Sequence, residues 1–113
     1  MTTQITLYEG TTEPIEDNLL DEAGAQVALD STYLMEFMVV QEQTNKVIFY
    51  KTSAVSEQIV YDIPAEGHYK IIRTVEDTKG KAGRHVYILT VKKNSSVFHV
   101  KQGTLIVKGI NTP

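Results

Sequence analysis

The chain has 113 residues, 42% of them hydrophobic and 22% charged, with seven Gly, three Pro and a formal net charge of −3, the profile of one ordinary globular domain that buries a core without staples. Cysteine is absent, which removes disulfide scaffolds, thiolate zinc sites and thiol catalysis together and fits folding in a reducing compartment. No apolar run approaches the length of a membrane span, and the start Met1-Thr2-Thr3-Gln4 has neither the basic patch nor the apolar stretch of a signal or transit segment.

Taken in chain order, Ile5 to Tyr8 is a weak strand. Glu13 to Leu20 follows, the only place for a helix because Pro14 suits a first helical turn, with a loop at least as well supported since the stretch is short and lacks an apolar stripe. Val27 to Leu29 is a second weak strand. From Tyr33 to Val40 the alternation is clear: Tyr33, Met35, Phe37 and Val39 share one face, and Leu34, Glu36, Met38 and Val40 the other. Gln43-Thr44-Asn45-Lys46 is turn-like, and Val47 to Tyr50 is β-branched and aromatic, so a hairpin joins the two.

Ile59 to Ile63 alternates again and stops at Pro64, which cannot donate to a ladder. Pro64-Ala65-Glu66-Gly67 forms a turn, and a further strand runs from Tyr69 to about Val75. Asp77 to Gly83 is a polar loop with two glycines. Val86 to Val91, Val97 to Val100 and Thr104 to Lys108 complete the set, with Asn94-Ser95-Ser96 as a turn and Gln102-Gly103 as a separator. Short strands at this spacing predict an all-β fold, a β-sandwich or a barrel, and the reading adopted is an antiparallel β-sandwich of about seven strands. Residues 1–20 are then an N-terminal arm or first edge strand, and residues 21–113 the sandwich.

Two stretches carry a resemblance. They are Asp21-Glu22-Ala23-Gly24-Ala25-Gln26-Val27-Ala28-Leu29 and the C-terminal pair Gly83-Arg84-His85-Val86-Tyr87-Ile88-Leu89-Thr90-Val91 and Val100-Lys101-Gln102-Gly103-Thr104-Leu105-Ile106-Val107. Together they resemble the immunoglobulin-like (Ig-like) domains of tailed-phage virion proteins, nearest to the N-terminal domain of phage baseplate upper proteins, over about residues 19 to 109. The resemblance implies an Ig-like sandwich and a non-enzymatic structural role in the virion, assembled in the host cytoplasm. Gly83 stands four residues before Tyr87, farther than is usual in that family, and the chain ends at Pro113, which reads as a free-standing module. Independently, Tyr87 after a Gly-rich corner, with Leu89 two residues on, fits either a tyrosine corner or a core tyrosine.

Catalytic constellations are missing from the sequence. His68, His85 and His99 show no metal-ligand spacing and are expected as strand or loop-surface residues. No nucleophile elbow or phosphate loop is present. The acid pairs Glu16-Asp17, Asp21-Glu22 and Glu76-Asp77 lie in no EF-hand register, and a glycosidase cleft would want aromatic platforms where the chain has no Trp. No enzyme activity, cofactor or metal is expected. A pI near 5.5 and the lack of a stacking set argue against nucleic acid.

Charge is the most usable clue. Residues 1–45 hold nine acids and no Lys or Arg, while the remaining 68 hold eleven bases and five acids, so the −3 is −9 plus +6. One expectation is that the halves interleave and neutralise each other across neighbouring strands. The other is head-to-tail assembly with copies of itself or other virion proteins, through an acidic arm (Glu13, Glu16, Asp17, Leu19, Leu20) and a basic loop (Lys79, Lys81, Arg84), with Ile110 as a further apolar contact. The alternative function is a host-surface or carbohydrate-binding module, for which Tyr33, Tyr50 and Tyr61 would have to point outward. A third, an inhibitor of a partner enzyme, would use the Asp77 to Gly83 loop.

Overall fold

A computed structural model describes residues 4–109; Ile110 lies outside the described residues. Among the described residues eight strands form: β1 (Gln4–Tyr8), β2 (Ile15–Asn18), β3 (Tyr33–Gln41), β4 (Val47–Thr52), β5 (Ile59–Ile63), β6 (His68–Ile71), β7 (Gly83–Lys93) and β8 (Ser96–Lys108), with a 3-10 turn at Pro64–Glu66 before β6 and one α-helical turn, α1 (Val75–Thr78), before β7. They make two sheets, ordered β1-β8-β7-β3-β4 and β2-β6-β5. Every pairing is antiparallel except β1 with β8. The fold is an all-β sandwich, and the chain passes between its sheets four times, at β1–β2, β2–β3, β4–β5 and β6–β7.

The two-residue period puts one face of each strand inside. Tyr33, Met35, Phe37 and Val39 of β3 are buried, as are Tyr87, Leu89 and Val91 of β7 and Leu105 and Val107 of β8. The small sheet contributes Ile59, Tyr69 and Ile71 to the same cluster. Phe37 stacks on Tyr87 with ring centroids 5.7 Å apart, so Tyr87 packs in the centre of the core. Each such side chain contributes about 1.5–3 kcal/mol by leaving water.

Several expectations change. Val97–Val100 and Thr104–Lys108 are one continuous strand, because Gln102 and Gly103 stay in register with Ile88 and Tyr87. Val27–Leu29 is not a strand: its amides bond to the corner around Pro64, Val27 N–H donating to Leu19 O (2.9 Å) and Leu29 N–H to Pro64 O (2.8 Å). Glu13–Leu20 contains no helix, since Ile15–Asn18 is the edge strand β2, paired with β6. The strand expected to reach Val75 ends at Ile71, where the chain turns into α1.

Within residues 4–20, β1 and β2 are edge strands of the two sheets. Buried Arg73 fastens their connection, its guanidinium donating to Glu13 O (2.6 Å) and Thr11 O (3.2 Å). Burial lowers its pKa, yet a guanidinium stays charged at any working pH.

Candidate interaction site

On one flank the two sheets do not close over each other. β1 covers the outer edge of β8 only from Thr104 to Lys108, and among the described residues no strand pairs with the outer edge of Ser96–Gly103 or of β2. Between these edges lies a cleft of about 450 Å³ lined by Asp17, Leu20, Tyr69, Leu89, His99 and Lys101. An adjoining hollow of about 410 Å³ is walled by Leu20, Glu22 and Phe98. The Lys101 ammonium bridges the seam to Asp17 at 3.0 Å.

The rim is unusually apolar. Val97 is 62% exposed, Val100 53%, Phe98 44% and Leu20 43%. Scattered exposed hydrophobic residues are ordinary on any surface, but several gathered on one unpaired strand edge mark an interaction surface or an aggregation hazard. Phe98 sits at a β-bulge, and its ring meets Tyr33 edge-on at 5.6 Å.

Of the residues expected to carry contacts, the acidic set is divided by the pleat. Leu19 is in the core while Leu20 faces the hollow, and Asp17 is spent on Lys101. Glu13 serves through its carbonyl, and Glu16 is exposed beside His68. The basic loop is not gathered into one patch. Lys81 is pinned by its ammonium to Ile48 O (3.0 Å) and Glu76 O (3.2 Å), Arg84 pairs with Glu42 at 3.0 Å, and Lys79 is exposed.

The three tyrosines do not form an outward platform. Tyr33 is buried, and Tyr61 is half-buried with its hydroxyl donating to Tyr33 O at 2.9 Å. Tyr50 alone of the three is exposed, and its hydroxyl donates to Glu36 at 2.6 Å. That bond raises the Tyr50 pKa and, with Lys92, lowers that of Glu36.

All three histidines lie on strands, one of the two places expected of them. His85 is not a surface residue: it is 2% exposed because it shares the inward face of β7 with Tyr87 and Leu89, and its Nε2 bonds to Lys81 O at 2.8 Å. His68 stands between two carboxylates, Nδ1 against Asp62 and Nε2 3.5 Å from Glu16. These three side chains have ligand atoms within 4.8 Å of one another. However, the Lys70 ammonium lies 3.7 Å from Asp62, and a cation already placed there opposes a second. The cluster therefore acts as a charge clamp spanning β2, β6 and β5. Sequence spacing hides it because its members come from three strands.

No protein-family model matches the chain, and no curated protein matches it either.

Proposed function

We propose that this domain is a non-enzymatic virion structural protein of a tailed phage, an Ig-like sandwich that joins subunits through the open flank between β2 and β8. The observation that carries the reading is the unpaired, apolar edge of β8 beside a cleft whose walls come from both sheets. The edge carries two of the usual blunting devices, Lys101 and the bulge at Phe98, yet Val97, Phe98 and Val100 on it remain exposed. Strand order supports the Ig-like assignment: β2-β6-β5 against β8-β7-β3-β4 follows the B-E-D and G-F-C-C′ arrangement of variable-type domains. The phage assignment rests on the sequence resemblance.

The measurement is composition of particles. Gradient-purified virions of the phage that encodes the chain should contain it at a fixed ratio to the other structural proteins, by quantitative mass spectrometry. A chain absent from particles, and strictly monomeric at high concentration, would overturn the reading. Deleting residues 1–18 is a poor test, since it removes β1 and β2 and so disrupts both sheets.

A further inference from the structure

Away from the open flank, lysines that lack a carboxylate partner gather at one place. Lys51, Lys70, Arg84, Lys92 and Lys101 are each ion-paired. Among the described residues Lys46, Lys79 and Lys81 are not, and all three line a pocket of about 500 Å³ together with Gln41, Ile48 and His85. We propose that this pocket binds a small phosphate monoester. The inference stands apart from the assembly reading, since it uses neither the β8 edge nor a second subunit.

The pocket is held in shape by the chain itself. It lies where the turn between β3 and β4 meets the loop between α1 and β7, and the strand register sets Gln41 opposite His85. Lys79 N–H donates to Val75 O (3.2 Å) and Lys81 N–H to Thr78 O (3.0 Å), so the loop backbone is fixed on both sides of Gly80. The Lys81 ammonium donates to Ile48 O and Glu76 O, which ties the loop to β4. An ammonium carries three donors, so one remains for a ligand.

Charge selects an anion. No carboxylate stands among the described residues that line the pocket. Of the acids nearest in sequence, Glu42 pairs with Arg84 and Asp77 with Lys51, while Glu76 accepts Lys81 through its carbonyl. Lysines gathered without a counter-charge repel one another, and an anion between them reverses that cost. A carboxylate offers one charge and two oxygens. A phosphate monoester offers up to two charges and three oxygens, one for each ammonium.

Size and His85 indicate that the phosphate carries an organic group. About 500 Å³ is the scale of a small-molecule site and more than an inorganic anion fills. His85 forms part of the wall while only 2% exposed. Its Nε2 lies 2.8 Å from Lys81 O, which can only accept, so Nε2 holds the proton and Nδ1 is left as an acceptor. Nδ1 is buried without a partner among the described residues. A fully ionised phosphate supplies only acceptors; a hydroxyl on the esterified group supplies the donor that Nδ1 lacks.

The test titrates the whole chain at low salt with glycerol phosphate, which carries both the phosphate and free hydroxyls. Backbone amide resonances should report saturable binding at one site, with the largest shifts in residues 41–48 and 79–85. Inorganic phosphate should bind there about threefold more weakly or worse, and glycerol not at all. Lys46→Gln/Lys79→Gln, at two exposed positions, should weaken glycerol phosphate by about tenfold or more. Lys93→Gln removes the same kind of charge at the other end of β7, where the ammonium lies over the Tyr33 ring, and should leave binding within about twofold. On the unmodified protein the His85 Nδ1 resonance should move at saturation, a readout independent of any variant's folding. Absence of saturable binding, a stationary Nδ1 resonance, or equal losses in the double variant and in Lys93→Gln overturns the inference. An oligoglutamate peptide that binds these residues more tightly than glycerol phosphate overturns it too, in favour of an acidic chain.

Discussion

Gly67 shows how much one position can hold. It closes the Pro64–Glu66 turn at φ +70°, and a Cβ there would come within 2.5 Å of Val27 O and 2.9 Å of Leu19 O. The Val27 carbonyl belongs to the irregular segment that replaces the expected strand at Val27–Leu29 and the Leu19 carbonyl to the chain just after β2, so the backbone of three chain regions meets at one hydrogen atom. Gly67→Ala is expected to cost roughly 3 kcal/mol, combining left-handed strain with a clash no side chain can relieve. A melting temperature lower by about 10 °C would register it, whereas Gly24→Ala, also at positive φ but in open space, should cost less than half as much. The turn itself is legible from Pro64-Ala65-Glu66-Gly67, and Tyr87 and Phe37 are legible as core from their alternation. The contacts of Gly67 are not, because Leu19 and Val27 are 48 and 40 residues away in sequence. His85 marks the opposite case: its parity with Tyr87 was readable, and its residue type alone suggested the surface.

At the scale of elements, strands with clean alternation were readable and those fixed by neighbours were not. β3 falls within one residue of the expected span because both its faces are patterned. β2 was invisible: Ile15-Glu16-Asp17-Asn18 has no strand pattern, and it is held by pairing with β6 and by Arg73 gripping the carbonyls before it. In the sequence Gly103 reads as a break that divides β8, yet a glycine opposite Tyr87 keeps the ladder in register.

The single-turn α1 lay hidden in a presumed strand end and loop, although Thr74-Val75-Glu76-Asp77 carries the spacing of a capping box. Asp77 accepts from Thr74 N–H at 2.8 Å and pairs with Lys51 at 2.9 Å, both side chains being almost shielded from water. Asp77→Ala is expected to lose about 3 kcal/mol, since it removes the cap and leaves a shielded ammonium without its counter-charge. Asp77→Asn keeps an acceptor for Thr74 and should lose less. Urea titrations of the three proteins would rank them, and equal midpoints for Asp77→Ala and the parent would refute this role.

Across the whole molecule, the uneven distribution of charge along the chain becomes local pairing in space. Asp17 meets Lys101, Glu36 meets Lys92 and Glu42 meets Arg84, each an acid from the first 45 residues against a base from beyond Thr78. The sequence expectation of interleaved halves holds for these pairs, and less of the charge split is left to orient a partner than the −9 and +6 suggest. Exposed pairs of this kind contribute little individually.

Three acids are held below their ordinary values: Asp30 by Thr32 hydrogen bonds, Glu36 by Tyr50 and Lys92, and Asp62 by His68 and Lys70, which outweigh the upward push of partial burial. A carboxylate depressed in the folded state adds stability that is fully present above its unfolded pKa, near 4, and is lost as pH falls through the lower folded value. The urea midpoint should therefore hold steady from about pH 7 to 5 and drop between about pH 4 and 3. Glu36→Gln, which removes one of the three depressed groups, should be weaker than the parent at neutral pH and lose less on acidification, so the two curves converge at the acid end. Parallel curves for the two proteins across that range would show that the Tyr50–Glu36–Lys92 network does not couple folding to protons.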